Sequence, residues 1–173
     1  MVSMIEHWEA SDPTLDVFTA STPAIIAALD MTFEPGQWVL DLGCGPGRLL
    51  TPLRAMHPET HFVGLDISPN MVAGCPGVIL GTGHTIPIKV DAAYSVNLFQ
   101  HLEVWDQATY LIEVKRCVAG PFRFQFVTAG EEGPFSHPVS LERMTELVAN
   151  AGLKVTAIDE STQAWEWAWM TVE

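Results

Sequence analysis

Short apolar runs alternate with amphipathic stretches along the chain, and Pro or Gly interrupts the pattern at short intervals. In "TPAIIAALDMTF", Thr22 stands as an N-cap and Pro23 at the first helical position, and apolar residues follow at helical spacing, which predicts a leading helix. After the turn at Pro35-Gly36, "QWVLDLG" is a short apolar run of the kind buried on both faces of a sheet. "RLLTPLRAM" then places Leu49, Leu50, Leu53 and Met56 on one helical face. "HFVGLDIS" predicts a second strand ending in Asp66, and Ser68 with Pro69 caps a helix that Gly74 and Pro76 cut short. "GVILG" and "AAYSVNLF" predict third and fourth strands. "VWDQATYLIEVKRCVA" predicts a helix with Val104, Ala108, Leu111, Ile112 and Lys115 near one face. In "FRFQFVT", Phe122, Phe124 and Phe126 alternate with polar residues as in a fifth strand. "SLERMTELVANAG" carries an approximate capping box at Ser140, a stripe of Leu141, Met144, Leu147 and Val148, and a C-terminal Gly152. "LKVTAID" and "WEWAWMTV" add two strands. Strands and helices in alternation predict an α/β fold with a doubly wound, mostly parallel sheet.

The length of 173 residues suits one domain, with residues 1–32 as an N-terminal helical or lid segment and 33–173 as the sheet core. Hydrophobic residues at 48% and charged ones at 17% are the profile of a globular chain. The net charge of -13 reflects a shortage of bases, 8 Lys and Arg against 21 acids, so no basic stripe is available for nucleic acid or an anionic membrane. The three cysteines, Cys44, Cys75 and Cys117, form no C-x-x-C pair, which predicts neither a disulfide framework nor a zinc site. The start "MVSMIEHWEA" lacks the basic and apolar regions of a signal peptide, and no run of 18 apolar residues occurs. A reduced, cytoplasmic setting is expected.

The stretch "VLDLGCGPGRLL" is an apolar strand, a glycine-rich turn and the start of a helix. A dinucleotide loop requires G-x-G-x-x-G, with a pyrophosphate on the backbone N–H groups of the helix N-terminus. Here Gly43, Gly45 and Gly47 place the third glycine one residue early, Pro46 has no N–H to donate, and Asp41 sets a carboxylate two residues before Gly43. This arrangement disfavours a dianion and a nicotinamide-dependent oxidoreductase, and it suits a cationic ligand. S-adenosylmethionine carries a sulfonium and an ammonium without a phosphate, and it meets those conditions. Asp66, 23 residues after Gly43, lies near the offset at which an acid binds ribose hydroxyls.

With these residues in place the chain resembles the class I S-adenosylmethionine-dependent methyltransferases, a Rossmann-like family. "VLDLGCGPGRLL" is similar to their first motif and "FVGLDISPNMV" to the strand, ribose acid and helix start that follow. "VDAAYSVNLFQHLE" is similar to their fourth-strand segment and "SLERMTELVANAGLKVTAIDE" to their last helix and strand. The resemblance implies a mostly parallel sheet with an antiparallel C-terminal strand. It puts Asp41, Gly43, Cys44, Gly45 and Gly47 around the methionine part of the cofactor, Asp66 on the ribose, Ile67 against the adenine and Asn97 at the methionine end. The family's third strand usually ends in an acid that bonds the adenine amino group, and here Thr82 stands in its place, with the Gly83 backbone as a substitute contact. The helix before it is also shorter than usual.

Histidine is poised for base catalysis near neutral pH. His101 follows the fourth strand on the substrate side and is the candidate base, with a surface or helix-capping role as the alternative; His84, after the third strand, is the lesser candidate. His57 and His61 in "HPETH" have i, i+4 spacing, but Pro52 and Pro58 break the helix that would align them, so no metal site is expected. "GCPG" and "YSVNLF" differ from the motifs of the DNA-methylating subclasses. Trp165, Trp167 and Trp169 share one strand face, either packed on a helix or forming a partner or homodimer surface. Trp8 and the loop "AGEEGPFSHP" are placed as a small lid. The expected function is methyl transfer to a small molecule or a protein side chain, and the alternative is a catalytically silent methyltransferase-like module acting through a protein partner.

Overall fold

The computed structural model describes residues 21–131, 133, 136–160 and 167–173. Trp8, Trp165 and part of the "AGEEGPFSHP" loop lie outside them. The chain divides into two compact units, one ending at Gly83 and the other beginning at His84.

The first unit opens with helix α1 (Thr22–Leu29), which has Pro23 in its first turn and ends at Asp30 in the left-handed region. Strand β1 (Trp38–Leu42) leads into α2 (Leu50–Met56), β2 (His61–Asp66), the four-residue α3 (Pro69–Val72) and β3 (Val78–Leu80). The three strands are parallel, with β2 between β1 and β3. Val39, Leu40 and Leu42 of β1 and Phe62, Val63 and Leu65 of β2 are buried without alternation, as expected for strands covered on both faces. Pro52 falls in the first turn of α2, where its missing N–H costs nothing. The stripe predicted on this helix stops at Leu53, because Met56 at the helix end is 58% exposed. Ser68 caps α3 by accepting from the Met71 N–H, and Cys75 and Gly77 follow before β3 begins.

The second unit runs β4 (Ala92–Ser95), a single 3₁₀ turn (Phe99–His101), α4 (Val104–Cys117), β5 (Phe122–Val127), α5 (Leu141–Asn150), β6 (Val155–Glu160) and β7 (Trp167–Val172). β4 and β5 are parallel; β7 pairs antiparallel with β5 on one side and with β6 on the other. Phe99, Phe122, Phe124 and Phe126 form a continuous aromatic core, with neighbouring ring centroids 4.6 to 6.0 Å apart. The buried stripe of α4 is Gln107, Tyr110, Leu111, Val114 and Cys117, whereas Val104 and Ile112 are exposed. A polar residue at the first position of the stripe displaces the register that apolar residues alone suggest. In α5 the stripe is as predicted at Met144, Leu147 and Val148, with Ser140 Oγ accepting from the Arg143 N–H.

Trp169 is 7% exposed, so it does not belong to an exposed indole surface. The Arg123 guanidinium lies 5.2 Å from its ring centre and covers it. Among the described residues no helix is long and apolar enough to cross a membrane.

Candidate functional site

The candidate cofactor site in the first unit is built where β1 and β2 end together. Their parallel register sets Asp41 beside Gly64 and Leu42 beside Leu65, so both strands deliver their last residues at one level. The chain leaving β1 turns through Gly43, Gly45 and Gly47, all with positive φ. Gly43 and Cys44 both donate their N–H to the Leu65 carbonyl, at 2.8 and 3.2 Å. Gly45 donates to Asp66 Oδ2 at 2.8 Å, and the other oxygen of Asp66 accepts from the Ser68 N–H at 2.9 Å. The loop and the acid are therefore a single hydrogen-bonded unit, although 21 residues separate Gly45 from Asp66.

The glycines differ in what they permit. A Cβ on Gly45 would meet nothing within 4 Å, so this backbone faces open space into which a ligand fits. A Cβ on Gly47 would collide with Cys75 Sγ, which packs down on the loop. Gly64, inside β2, was not singled out as a site residue from the sequence. A Cβ there would lie 2.6 Å from Cys44 Sγ and 2.7 Å from Leu50 Cδ1, so its small size lets the loop and α2 settle on the strand. A glycine in the middle of a buried strand is the signal that marks it. Arg48, also absent from the sequence reading of the site, donates to Ser21 Oγ at 2.6 Å and Thr22 Oγ1 at 3.1 Å, tying the start of α1 to the loop.

Asp41 is 3% exposed. Burial pushes the Asp66 carboxyl above the ordinary carboxylate value, against the N–H groups of Ser68, Gly45 and Ile67, which pull it down. Burial, and then the carboxylates of Asp41 and Asp66, drive the Cys44 thiol far up, so it stays protonated. Cys44 is buried and packs against Gly64 as a spacer of the loop. Gly81 donates to the Asp66 carbonyl at 2.7 Å, which brings the end of β3 to the same place. Thr82 follows and is exposed; Gly83 has φ 128 and open space at its Cβ position. Asp41, Gly43, Cys44, Gly45, Gly47, Asp66, Ile67, Thr82 and Gly83 thus all belong to the strand ends and loops of the first unit.

In the second unit Asn97 follows β4 with φ 58, a left-handed conformation that Asn tolerates better than most residues. His101 ends the 3₁₀ turn, with its Nε2 3.2 Å from Gln100 Nε2. His84 Nε2 contacts Asp106 Oδ1, and the His84 ring packs against Trp105 and Tyr110. Burial raises the Asp106 carboxyl and the His84 charge opposes the rise. His57 packs on Phe33 and Phe62 while His61 packs on Trp38, so the two rings of "HPETH" have separate aromatic partners.

Residues 39–120 match a family described as a methyltransferase domain. Among curated relatives, an uncharacterised 37.1 kDa transposon protein of Streptomyces fradiae is 35% identical over 116 residues, 60% of this chain and 32% of that protein. The methyltransferase ungE' of Aspergillus campestris is 32% identical over 47% of this chain and 25% of its own length. A trans-aconitate 2-methyltransferase of Escherichia coli is 40% identical over 31% of this chain and 21% of its own. The chain thus spans about a third or less of the curated relatives it matches. A solved structure described as the complex between the Haloferax volcanii Trm112 methyltransferase activator and the putative methyltransferase aligns over 99% of this chain and 98% of the matched one, with TM-score 0.76 and 21% identity. A TehB-like SAM-dependent methyltransferase from Corynebacterium glutamicum aligns over 89% of this chain and 86% of its own, with TM-score 0.68 and 19% identity. These likenesses establish a Rossmann-like fold, and within it residues 39–120 are similar to a methyltransferase domain.

Proposed function

We propose that this chain binds S-adenosylmethionine and transfers its methyl group to a small molecule or a protein side chain. The observation that carries the reading is the 2.8 Å bond from the Gly45 N–H to Asp66, which joins a glycine loop open to a ligand with the acid suited to a ribose diol. Asp41, Gly43, Cys44, Gly45 and Gly47 surround the methionine part, Asp66 takes the ribose, Ile67 and the Thr82–Gly83 backbone take the adenine, and Asn97 approaches the methionine end. Solved relatives in this fold include a calicheamicin-biosynthesis methyltransferase described as an SAH-bound form and a magnesium protoporphyrin IX methyltransferase with bound SAM, which supports the choice of cofactor.

The bound cofactor supplies an electrophilic methyl on a sulfonium. On transfer the carbon–sulfur bonding pair would stay with the departing S-adenosylhomocysteine, and the role of His101 would be to take the proton of the acceptor. The chain's part is to position both reactants and exclude water, which suffices for much of the acceleration of an in-line displacement. The missing acid at Thr82 costs about 0.5–1.5 kcal/mol, the net worth of one hydrogen bond, which weakens binding without abolishing it.

A second reading, a catalytically silent module acting through a protein partner, is favoured by the exposed Thr82, by the four-residue α3 and by the relative solved with an activator. A calorimetric titration with S-adenosylmethionine, S-adenosylhomocysteine and NAD tests both. Saturable binding of the two sulfur ligands but not NAD is expected, and its loss in Gly45→Arg, where the new side chain fills the open space, places it at the loop. No binding of either sulfur ligand at millimolar concentration sinks the enzyme reading, while binding of NAD alone overturns the choice of cofactor.

A further inference from the structure

The second unit holds a cleft of about 550 Å³ between the first turns of α4 and the face of α5, within the ~300–1,000 Å³ usual for small-molecule sites. Its apolar lining is Val104, Ala108 and Leu147, and Trp105, 59% exposed, supplies an aromatic wall. Glu103 accepts the indole N–H of Trp105 at 3.0 Å, which fixes the ring and engages that carboxylate. Arg143 and His137 complete the lining.

The walls are held in place before any ligand arrives. Gln107, 1% exposed, donates through its amide nitrogen to the carbonyls of Phe99 at 3.0 Å and Leu102 at 2.8 Å, locking the chain before α4. The His137 N–H donates to the Gln100 carbonyl at 2.8 Å, which pins the opposite lip to the 3₁₀ turn. Arg143 uses one terminal nitrogen on Glu146, an exposed pair that exchanges readily for a better partner. Its planar fork matches a carboxylate in two-point fashion. On a chain with only 8 Lys and Arg, Arg143 brings a permanently charged base to this lining, and the carboxylate that shares it, Glu103, is engaged by the Trp105 indole.

We propose that this cleft binds a small organic acid, its apolar or aromatic body against Trp105, Val104 and Leu147 and its carboxylate on Arg143. The site stands independently of methyl transfer, since no group of the glycine loop takes part. An aromatic face with an apolar floor gives the body stacking and burial, and the guanidinium gives the charge its orientation.

The test is calorimetric titration of the full chain, without cofactor, using 3-phenylpropionate, its uncharged amide and phenethylamine. The acid is expected to bind saturably in the millimolar range or tighter, with the amide and the amine at least about tenfold weaker. Arg143→Gln should weaken the acid by about tenfold and leave the amide unchanged, and Trp105→Ala should weaken both. Neither side chain is buried, and circular dichroism verifies that each variant is folded; Arg143→Lys, which keeps the charge but loses the fork, gives an intermediate affinity. Absence of saturable binding by the acid, equal binding of acid and amide, tighter binding of the amine, or indifference to Arg143→Gln would each overturn the proposal.

Discussion

A single carboxylate, that of Asp66, accepts N–H bonds from both Gly45 and Ser68 and so shapes the loop before any ligand is present. Burial nevertheless leaves its carboxyl above the ordinary value of 3.8. An acid with a folded value above its unfolded one contributes stability that is full below the unfolded value and is lost as pH rises through the folded value. Asp66→Asn removes that titration. The denaturant midpoint of the wild type is therefore expected to fall relative to that of Asp66→Asn as pH rises from 3.8 through the raised value, measured by urea unfolding at a series of pH values. A difference that stays constant with pH contradicts the assignment. The identity of Asp66 was legible in the sequence because an acid closing a buried strand is a local pattern. Its bond to Gly45 was not, because strand register alone brings these residues together.

At the scale of elements, the β5–β7–β6 ladder shows how a buried charge is accommodated. Arg123 alternates with phenylalanines on β5, and its guanidinium donates to Thr171 Oγ1 at 2.9 Å and to Asp159 at 2.8 Å while covering Trp169. Its side chain is 6% exposed and that of Asp159 is 60% exposed, so one end of the pair is dry and the other wet. Removing the partner of a buried guanidinium costs more than removing half of a surface pair. Asp159→Ala is expected to cost about 1–2 kcal/mol, discounted for the wet carboxylate, while Glu146→Ala, which breaks the exposed pair with Arg143, costs about 0–1 kcal/mol. Urea denaturation of the two variants checks the order, and equal costs contradict it. β6 itself is exposed along nearly its whole length, and a register irregularity between Val155 and Ala157 together with Asp159 and Glu160 makes it a poor template for further strands. The strands were legible as runs of apolar residues. The burial of Arg123 and Trp169 was not, since alternation assigns a face without telling what covers it.

For the molecule as a whole, 21 acidic residues against 8 basic ones mean that the folded chain repels itself. Raising ionic strength from about 0.01 to about 0.15 M shortens the screening length from roughly 30 to roughly 8 Å, which relieves that repulsion more in the compact state than in the unfolded one. The thermal midpoint is therefore expected to rise with added sodium chloride, followed by circular dichroism. A fall over the same range would mean that attractive ion pairs outweigh the net charge.

The order of strands and helices, the glycine-rich turn and the acid that ends the second strand were determined by the sequence alone. Each is a preference of a residue or of a short run, expressed through hydrophobic period, capping and glycine's freedom at positive φ. Tertiary structure decided the rest: Gly64 making room for Cys44 and Leu50, Asp106 meeting His84, Gln107 locking the turn before α4, and a cleft shared by two helices. These features depend on which surfaces packing brings together across long stretches of chain, and burial and partnership come into being only there.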